Sequence, residues 1–292
     1  MPNRFETLIP VGVRFMLLSA LGFSLMTAFV KLVGTHDIPL FEIVAARAFV
    51  SLIISYLDVK RKRISVWGKN KKLLLARGTV GTIALMCVYY SVTTLPLAAA
   101  TILQYVHPVF TAVLAVIFLK EKIQIPTIIC IVFCLAGLTV MVLPGMESDS
   151  SYQLPIMSVG IAILGAFGSA IAYVIVRKLS NTEDSSVIIF YFPLIALPVS
   201  VLLIGHDFVI PDMHVLILMV LIGICTQFGQ YGLTKAMQTQ AAGKASAYSY
   251  IQVVFSGLIG VWVFNEIPSI WTYLGGGLII SGALINVFGQ KR

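Results

Sequence analysis

What this chain of 292 residues lacks most is charge: Asp, Glu, Lys and Arg together make up only 11% of it. A soluble domain carries about 25%, so a surface that faces water all round is excluded. Any polar stretch long enough to fold as a separate domain is also missing, which argues against a receptor or scaffold. The four cysteines, Cys87, Cys130, Cys134 and Cys225, all fall inside apolar runs. Cys130 and Cys134 share a helix face, yet no histidine or second thiolate pair completes a metal-ligand set, so they read as packing residues. Strict polar/apolar alternation, the mark of a membrane β-barrel, is absent. The polar residues of one short loop, His206, Asp207, Asp212 and His214, lack the spacing of a hydrolytic or metal centre. No catalytic residue, metal or cofactor is therefore expected.

What is present is hydrophobic length. The chain is 59% hydrophobic with a mean hydropathy of +0.98, and its charges are segregated between apolar runs. A run of about 20 residues crosses the hydrocarbon core as a helix, and only helices or closed barrels satisfy their backbone there. The runs predict an all-α, polytopic membrane protein of ten spans: Val11–Val33, Ile38–Leu57, Leu73–Thr94, Leu97–Leu119, Ile123–Leu143, Pro155–Arg177, Ser186–Ile204, Met213–Lys235, Ala245–Phe264 and Ile267–Phe288. The first is too long for a signal-peptide core, carries Lys31 and lacks a small-residue cleavage site.

Basic residues orient the spans. Arg4, Arg14, Lys60–Arg63, Lys69, Lys71, Lys72, Lys120, Lys122, Arg177, Lys178, Lys235, Lys244, Lys291 and Arg292 all fall on one side, seventeen of the twenty. The other side holds His36, Asp37, Glu147, Asp149, His206, Asp207, Asp212, His214 and Glu266. The positive-inside rule then places both termini in the cytoplasm, with an even span count. Topology also explains the pI near 9.4, so no nucleic-acid partner is expected; the run 60–72 reaches anionic headgroups at most. Nothing in the pattern sets an oligomeric state.

The chain is built twice. Sliding it by 145 residues brings Ala100 onto Ala245, Tyr105 onto Tyr250, Phe110 onto Phe255, Val116 onto Val261, Glu121 onto Glu266 and Gly137 onto Gly282. Each copy has a glutamate in a tight turn before its final span. With five spans per copy, residues 1–145 and 146–292, the second copy is inverted in the membrane. That architecture serves transport, because two like halves give conformations open to opposite sides. An inverted duplication also occurs in some channels. The pair His107-Pro108 has Gln252-Val253 opposite it, so the residues do not argue for a shared helix break.

The segment Phe41-Glu-Ile-Val-Ala-Ala-Arg47, the run Pro96-Leu-Ala-Ala-Ala-Thr101 and the turn Phe118-Leu-Lys-Glu-Lys122, set in two five-span halves, resemble the EamA-type transporters of the drug/metabolite transporter superfamily. The resemblance spans essentially the whole chain. It implies a ten-helix carrier in the bacterial inner membrane, with a central cavity lined mainly by the third, fourth, eighth and ninth helices. Members of that superfamily move amino acids, nucleotide sugars, riboflavin, S-adenosylmethionine or metallophores.

Polar side chains within spans are costly in hydrocarbon and tend to face the bundle interior. Glu42 and Arg47 are five apart on one helix, roughly 140° around it, so they cannot easily pair. Arg47 reads as a group holding an anionic part of the solute or as a structural pair with another helix. Glu42 reads as a proton-coupling group or again as a structural pair. Arg77, near the inner end of its span, can snorkel to the interface. The fourth span offers Thr101, Gln104, Tyr105 and His107; the eighth Gln227, Gln230 and Tyr231; the ninth Tyr248, Tyr250 and Gln252; the third Tyr89 and Tyr90; the sixth Tyr173. Such a lining suits a neutral or zwitterionic small-molecule substrate with hydrogen-bonding edges and a flat part. Buried glutamines and tyrosines also serve to hold helices together. Gly165-x-x-Gly168, Gly257-x-x-Gly260 and Gly275–Gly277 predict close helix contacts.

Overall fold

In the computed structural model, residues 10–95, 97–146, 155–205, 207–265 and 269–289 are described. Arg4, Pro96, Glu147, Asp149, His206, Glu266, Lys291 and Arg292, which enter the topology, repeat and resemblance arguments, lie outside them. The described chain forms twelve α-helices: α1 Val11–Val33, α2 Leu40–Arg61, α3 Lys71–Thr94, α4 Leu97–Gln104, α5 His107–Leu119, α6 Ile125–Met146, α7 Ile156–Leu179, α8 Ser185–Ile204, α9 Met213–Thr239, α10 Ala242–Ala247, α11 Ile251–Phe264 and α12 Ile270–Phe288. Helices α4 and α5 together make the fourth span, and α10 and α11 the ninth. Among the described residues nine spans are long and apolar enough to cross a membrane, and Ile125–Met141 of α6 is a shorter apolar helix. The protein is therefore an all-α membrane protein of ten spans in two inverted five-helix repeats.

Local chemistry sets where the helices begin. Pro10, Pro39 and Pro155 stand just ahead of α1, α2 and α7, where a fixed φ and a missing N–H cost nothing. Asn70, Asp184 and Asp212 cap α3, α8 and α9 by accepting backbone N–H bonds from Leu73, Ser186 and Val215, each cap being worth about 1 kcal/mol.

The repeats interlock. Helix α1 lies along α9 and its counterpart α7 along α3, while α2 pairs with α8 and α6 with α12. Each of these contacts joins one repeat to the other, as an inverted pseudo-two-fold axis requires. Small residues let the backbones approach. A side chain on Gly22 of α1 would sit 2.7 Å from the Gly229 backbone nitrogen of α9, and the Ser19 hydroxyl donates to the Gly229 carbonyl at 2.8 Å. Gly275 meets the Gly137 carbonyl of α6 in the same way, and Gly165 and Gly168 face α3. Gly257, Gly276 and Gly277 have open space around them, so the expected contact at those three positions does not form; the stripe turns away from the bundle.

The turns repeat in detail. α5 ends on Lys120 (φ 54°), whose N–H bonds the Ala115 carbonyl, and α11 ends on Asn265 (φ 52°), whose N–H bonds the Gly260 carbonyl. Both the left-handed residue and its acceptor recur 145 positions on.

The two ends of the bundle differ. At the end rich in lysine and arginine, ties between the repeats are polar and numerous. Arg177 Nε donates to Glu121 Oε1 across the repeats at 2.8 Å, while its Nη1 donates to the Met237 carbonyl within the second repeat at 2.7 Å. Glu121 Oε2 accepts the Ala242 N–H at 2.7 Å. Glu183 accepts the Lys69 and Asn70 N–H groups, each at 2.6 Å, and Lys62 Nζ reaches Asp184 at 2.9 Å. Beneath them a core that includes Val13, Val59, Leu74, Leu179, Met237 and Ala242 seals this end.

Candidate functional site

Both repeats break one span at nearly the same register. In the first, α4 stops at Gln104 and α5 starts at His107; in the second, α10 stops at Ala247, a 3-10 turn covers Tyr248–Tyr250, and α11 starts at Ile251. The second break forms without a proline, so the shared break that the pair Gln252-Val253 left open is present. In the first, Pro108 brings no N–H and the Val109 N–H bonds the Val106 carbonyl at 3.0 Å. The Tyr105 carbonyl instead accepts the Tyr250 hydroxyl at 2.8 Å. Tyr105 and Tyr250, equivalent in the two repeats, also stack, with ring centroids 5.7 Å apart and planes 26° from parallel. They meet where the pseudo-two-fold axis runs.

Beside this pair lies a cavity of about 200 Å³ lined by Met16, Ser19, Ala20 and Phe23 of α1, Gln104, Tyr105 and His107, Tyr173 of α7, and Ser249 and Gln252. Its walls are the first, fourth, sixth and ninth spans. The third and eighth, expected as walls, stand behind them, because α3 and α9 are drawn into the tight crossings with α7 and α1. His107 is buried, lies edge-on to Tyr173 at 5.1 Å, and its Nδ1 has no hydrogen-bond partner among the described residues. The α1 contribution, Ser19 and Phe23, carried little signal in the sequence: a serine and a phenylalanine in an apolar helix are unremarkable until a neighbouring helix breaks.

The remaining candidates separate into groups. Arg47, 6% exposed, donates from Nη1 to the Tyr89 hydroxyl at 3.2 Å and lies 3.6 Å from Met26 Sδ. Met26 is three residues past Phe23 on α1, and neither Arg47 nor Tyr89 lines the cavity. Arg77 does not snorkel. It is 4% exposed, its Nη2 reaches Gln230 Oε1 at 3.4 Å, and its guanidinium sits 5.1 Å from the Phe192 ring centroid. Packing of α3 against α7 and α8 closes the route to the interface. Gln227 lies elsewhere, between α2 and α9, where it accepts from Ser51 at 2.5 Å and donates to Ser55 at 3.0 Å. Tyr231 packs edge-on against Phe15 at 6.1 Å. Tyr248 is buried in the seal of the basic end, its hydroxyl unpartnered among the described residues.

Glu42 faces a second, largely apolar pocket of about 490 Å³ at the far end, between α2, α8 and α9. Its Oε2 accepts the Val209 N–H at 3.0 Å, so it pins the segment that joins α8 to α9. Among the described residues, no group of three or more His, Cys, Asp or Glu could hold a metal ion.

Ten spans in two inverted repeats, with a polar cavity where two broken helices meet, define the class of membrane transporters. The chain belongs to the EamA-like transporter family, whose model matches residues 10–143 and 156–288. It is 31% identical to the pseudopaline exporter CntI of Pseudomonas aeruginosa, over 94% of each chain. It is 32% identical to mouse solute carrier family 35 member G1, covering 92% of this chain and 76% of that one. An S-adenosylmethionine uptake transporter of Rickettsia bellii is 24% identical over 97% of this chain and 95% of its own. A solved crystal structure superposes with a TM-score of 0.83 over 94% of this chain and 95% of that one, at 16% identity, a likeness of fold alone.

Proposed function

We propose that the cavity beside Tyr105 and Tyr250 is the solute site of an alternating-access carrier, and that the repeats, residues 1–145 and 146–292, rock about it. The observation that carries this reading is the coincidence of a polar cavity with both helix breaks, while one end of the bundle is sealed. A channel has no need of such a seal across its path. In this reading the sealed, basic end faces the cytoplasm, both termini lie there, and the membrane is the bacterial inner membrane.

The solute is a small metabolite, amino-acid-like, nucleoside-like, vitamin-like or of the S-adenosylmethionine type. Gln104, Ser249 and Gln252 bind its polar edges, Tyr105 and Tyr173 its flat part, and Arg47, supported by Tyr89, an anionic group. The relatives named for S-adenosylmethionine uptake and pseudopaline export support a small metabolite as the solute. Gln230, bonded to Arg77, supports α3 against α9 rather than lining the cavity. Gln227, Tyr231 and Tyr248 hold helices together, and Glu42 anchors a loop rather than carrying the coupling proton.

Thermal-shift screening of the purified protein against metabolites, followed by counterflow of a hit in proteoliposomes, tests the reading. Saturable counterflow is expected; linear, non-saturating flux would mean a channel. Arg47→Ala is expected to abolish transport while expression and elution profile persist, and undiminished transport in that variant removes Arg47 from the site.

A further inference from the structure

The pocket at the end of the bundle opposite the basic one has a single polar side chain in its wall, and that side chain is acidic. Glu42, the third residue of α2, is 3% exposed and faces a space of about 490 Å³ whose other walls include Phe49, Leu197, Val201 and Phe208. No lysine, arginine or histidine lines it. The ion pairs among the described residues lie at the basic end, on Asp58, Glu121 and Asp184. Arg47, five residues along the same helix, is engaged with Tyr89 and Met26 instead. A carboxyl group buried in apolar surroundings without a counter-charge is costly to the fold, and inside a membrane such a group marks a site.

Neither packing nor the loop accounts for an acid here. Sliding the chain by 145 residues brings Glu42 onto Val187, likewise the third residue of its helix, α8. Val187 is buried in the apolar core of the basic end. The pairing of α2 with α8 therefore accepts a valine at the matching place. The bond from the Val209 N–H to Glu42 Oε2, 3.0 Å long, needs an acceptor but no charge, and a glutamine carbonyl accepts as well. That bond occupies one oxygen, and no described group donates to the other.

From this we infer that the pocket binds an amphipathic organic cation, its ammonium on the Glu42 carboxylate and its apolar body among Phe49, Leu197, Val201 and Phe208. The volume falls within the range of about 300–1,000 Å³ usual for small-molecule sites. Phe49 and Phe208, 54% and 60% exposed, present rings that attract an ammonium as well as an alkyl or aryl body. An anion is repelled by Glu42, and an uncharged apolar molecule leaves the carboxylate uncompensated. Because α2 belongs to the first repeat and α8 and α9 to the second, the occupant bridges the two. The pocket shares no lining residue with the cavity beside Tyr105, so this is a second site and stands apart from the transport reading.

The test is equilibrium binding of radiolabelled phenylbutylamine to the purified full-length protein in a non-ionic detergent, with phenylbutanol and phenylbutyrate as competitors of the same shape. Saturable binding of about one amine per chain is expected, with the alcohol about tenfold weaker or more and the acid without effect. Glu42→Gln keeps an acceptor for Val209 and removes the charge. It is expected to weaken amine binding about tenfold or more with the elution profile unchanged, while Glu42→Asp, which keeps the charge, loses less. Phe208→Ala, at an exposed position, is expected to weaken the amine and the alcohol alike. An amine that competes no better than the alcohol overturns the inference, as does amine binding that is unaltered in Glu42→Gln. Binding lost in Gln252→Leu but kept in Glu42→Gln places the amine in the central cavity and overturns it too.

Discussion

In the first repeat the broken span has a proline at the break, and in the second it has none, yet the two breaks overlap, at Tyr105 and Tyr250, when the chain is slid by 145 residues. The first supplies Gln104 and His107 to the cavity, the second Ser249 and Gln252. Both buried guanidiniums, Arg47 and Arg77, come from the first repeat, whereas the second answers Arg77 with Gln230 and Phe192. Geometry has thus been kept in both copies while chemistry has been divided between them. A break that survives without proline is held by its surroundings: the tight 3-10 turn Tyr248–Tyr250 is buried, and Tyr250 bonds across to the other copy. On the alternating-access reading, symmetry is kept where two conformations must interchange and given up where a solute is to be bound.

The largest effect expected from breaking this arrangement lies at the basic end. Glu121 holds both Arg177 and the start of α10, so Glu121→Ala leaves a partly buried guanidinium and a helix terminus without their partner. A cost of roughly 2 kcal/mol in the sealed state, or about thirtyfold in its population, is expected. Maleimide labelling of a cysteine placed at Met237, which is fully buried, should accelerate accordingly in a background freed of native cysteines. An unchanged rate would show that the seal is apolar and the ionic tie incidental.

Next comes the tyrosine pair. Tyr250→Phe removes the hydroxyl that serves the Tyr105 carbonyl, and a buried orphan carbonyl costs about 1–3 kcal/mol. A fall of about five- to 150-fold in counterflow rate corresponds to it. Tyr105→Phe leaves that bond whole in the conformation seen here and should cost less; equal effects would mean that the two rings are not distinguished.

Pro108→Ala sharpens the comparison of the breaks. If surroundings hold the first break as they hold the second, transport should stay within about twofold and the melting temperature within a few degrees. Loss of transport would make the proline indispensable to its copy.

The smallest effect is on pH. Burial raises the Asp184 carboxyl, but the Lys62 ammonium and the Ser186 N–H and hydroxyl outweigh it and leave the group below the usual carboxylate range. A carboxyl depressed in the folded protein stabilises it above its unfolded value and loses that contribution as pH falls through the folded one. The tie across Lys62 should therefore weaken only in acid. Asp184→Asn should flatten thermal stability against pH in that window, and an unaltered profile would exclude the tie as a source of acid sensitivity. The partial exposure of the pair keeps the effect modest.

Much of this was legible in the sequence because it is written locally. Span length, the segregation of lysine and arginine, and the offset of 145 need no knowledge of neighbours, and they led to ten spans in two inverted halves. What resisted was whatever depends on a partner helix. Arg77 near a span end reads as a snorkelling residue until α7 and α8 are seen to enclose it. Gln227 and Gln230 stand three apart on one helix and look alike, but one meets two serines of α2 and the other an arginine of α3. Gly257 carries the same pattern as Gly165, yet nothing packs on it. The cavity walls from α1 were unreadable for the same reason, since Ser19 and Phe23 gain meaning only beside a break in another span.

The stack of Tyr105 on Tyr250 has a further consequence. Two residues that occupy equivalent places in the repeats here do unequal jobs, one giving a hydroxyl proton and the other receiving it at a carbonyl. If the two halves exchange conformations as proposed, the mirror arrangement, with Tyr105 as donor and the Tyr250 carbonyl as acceptor, uses the same parts. The pair would then be a toggle with two settings, thrown once in either direction in each transport cycle.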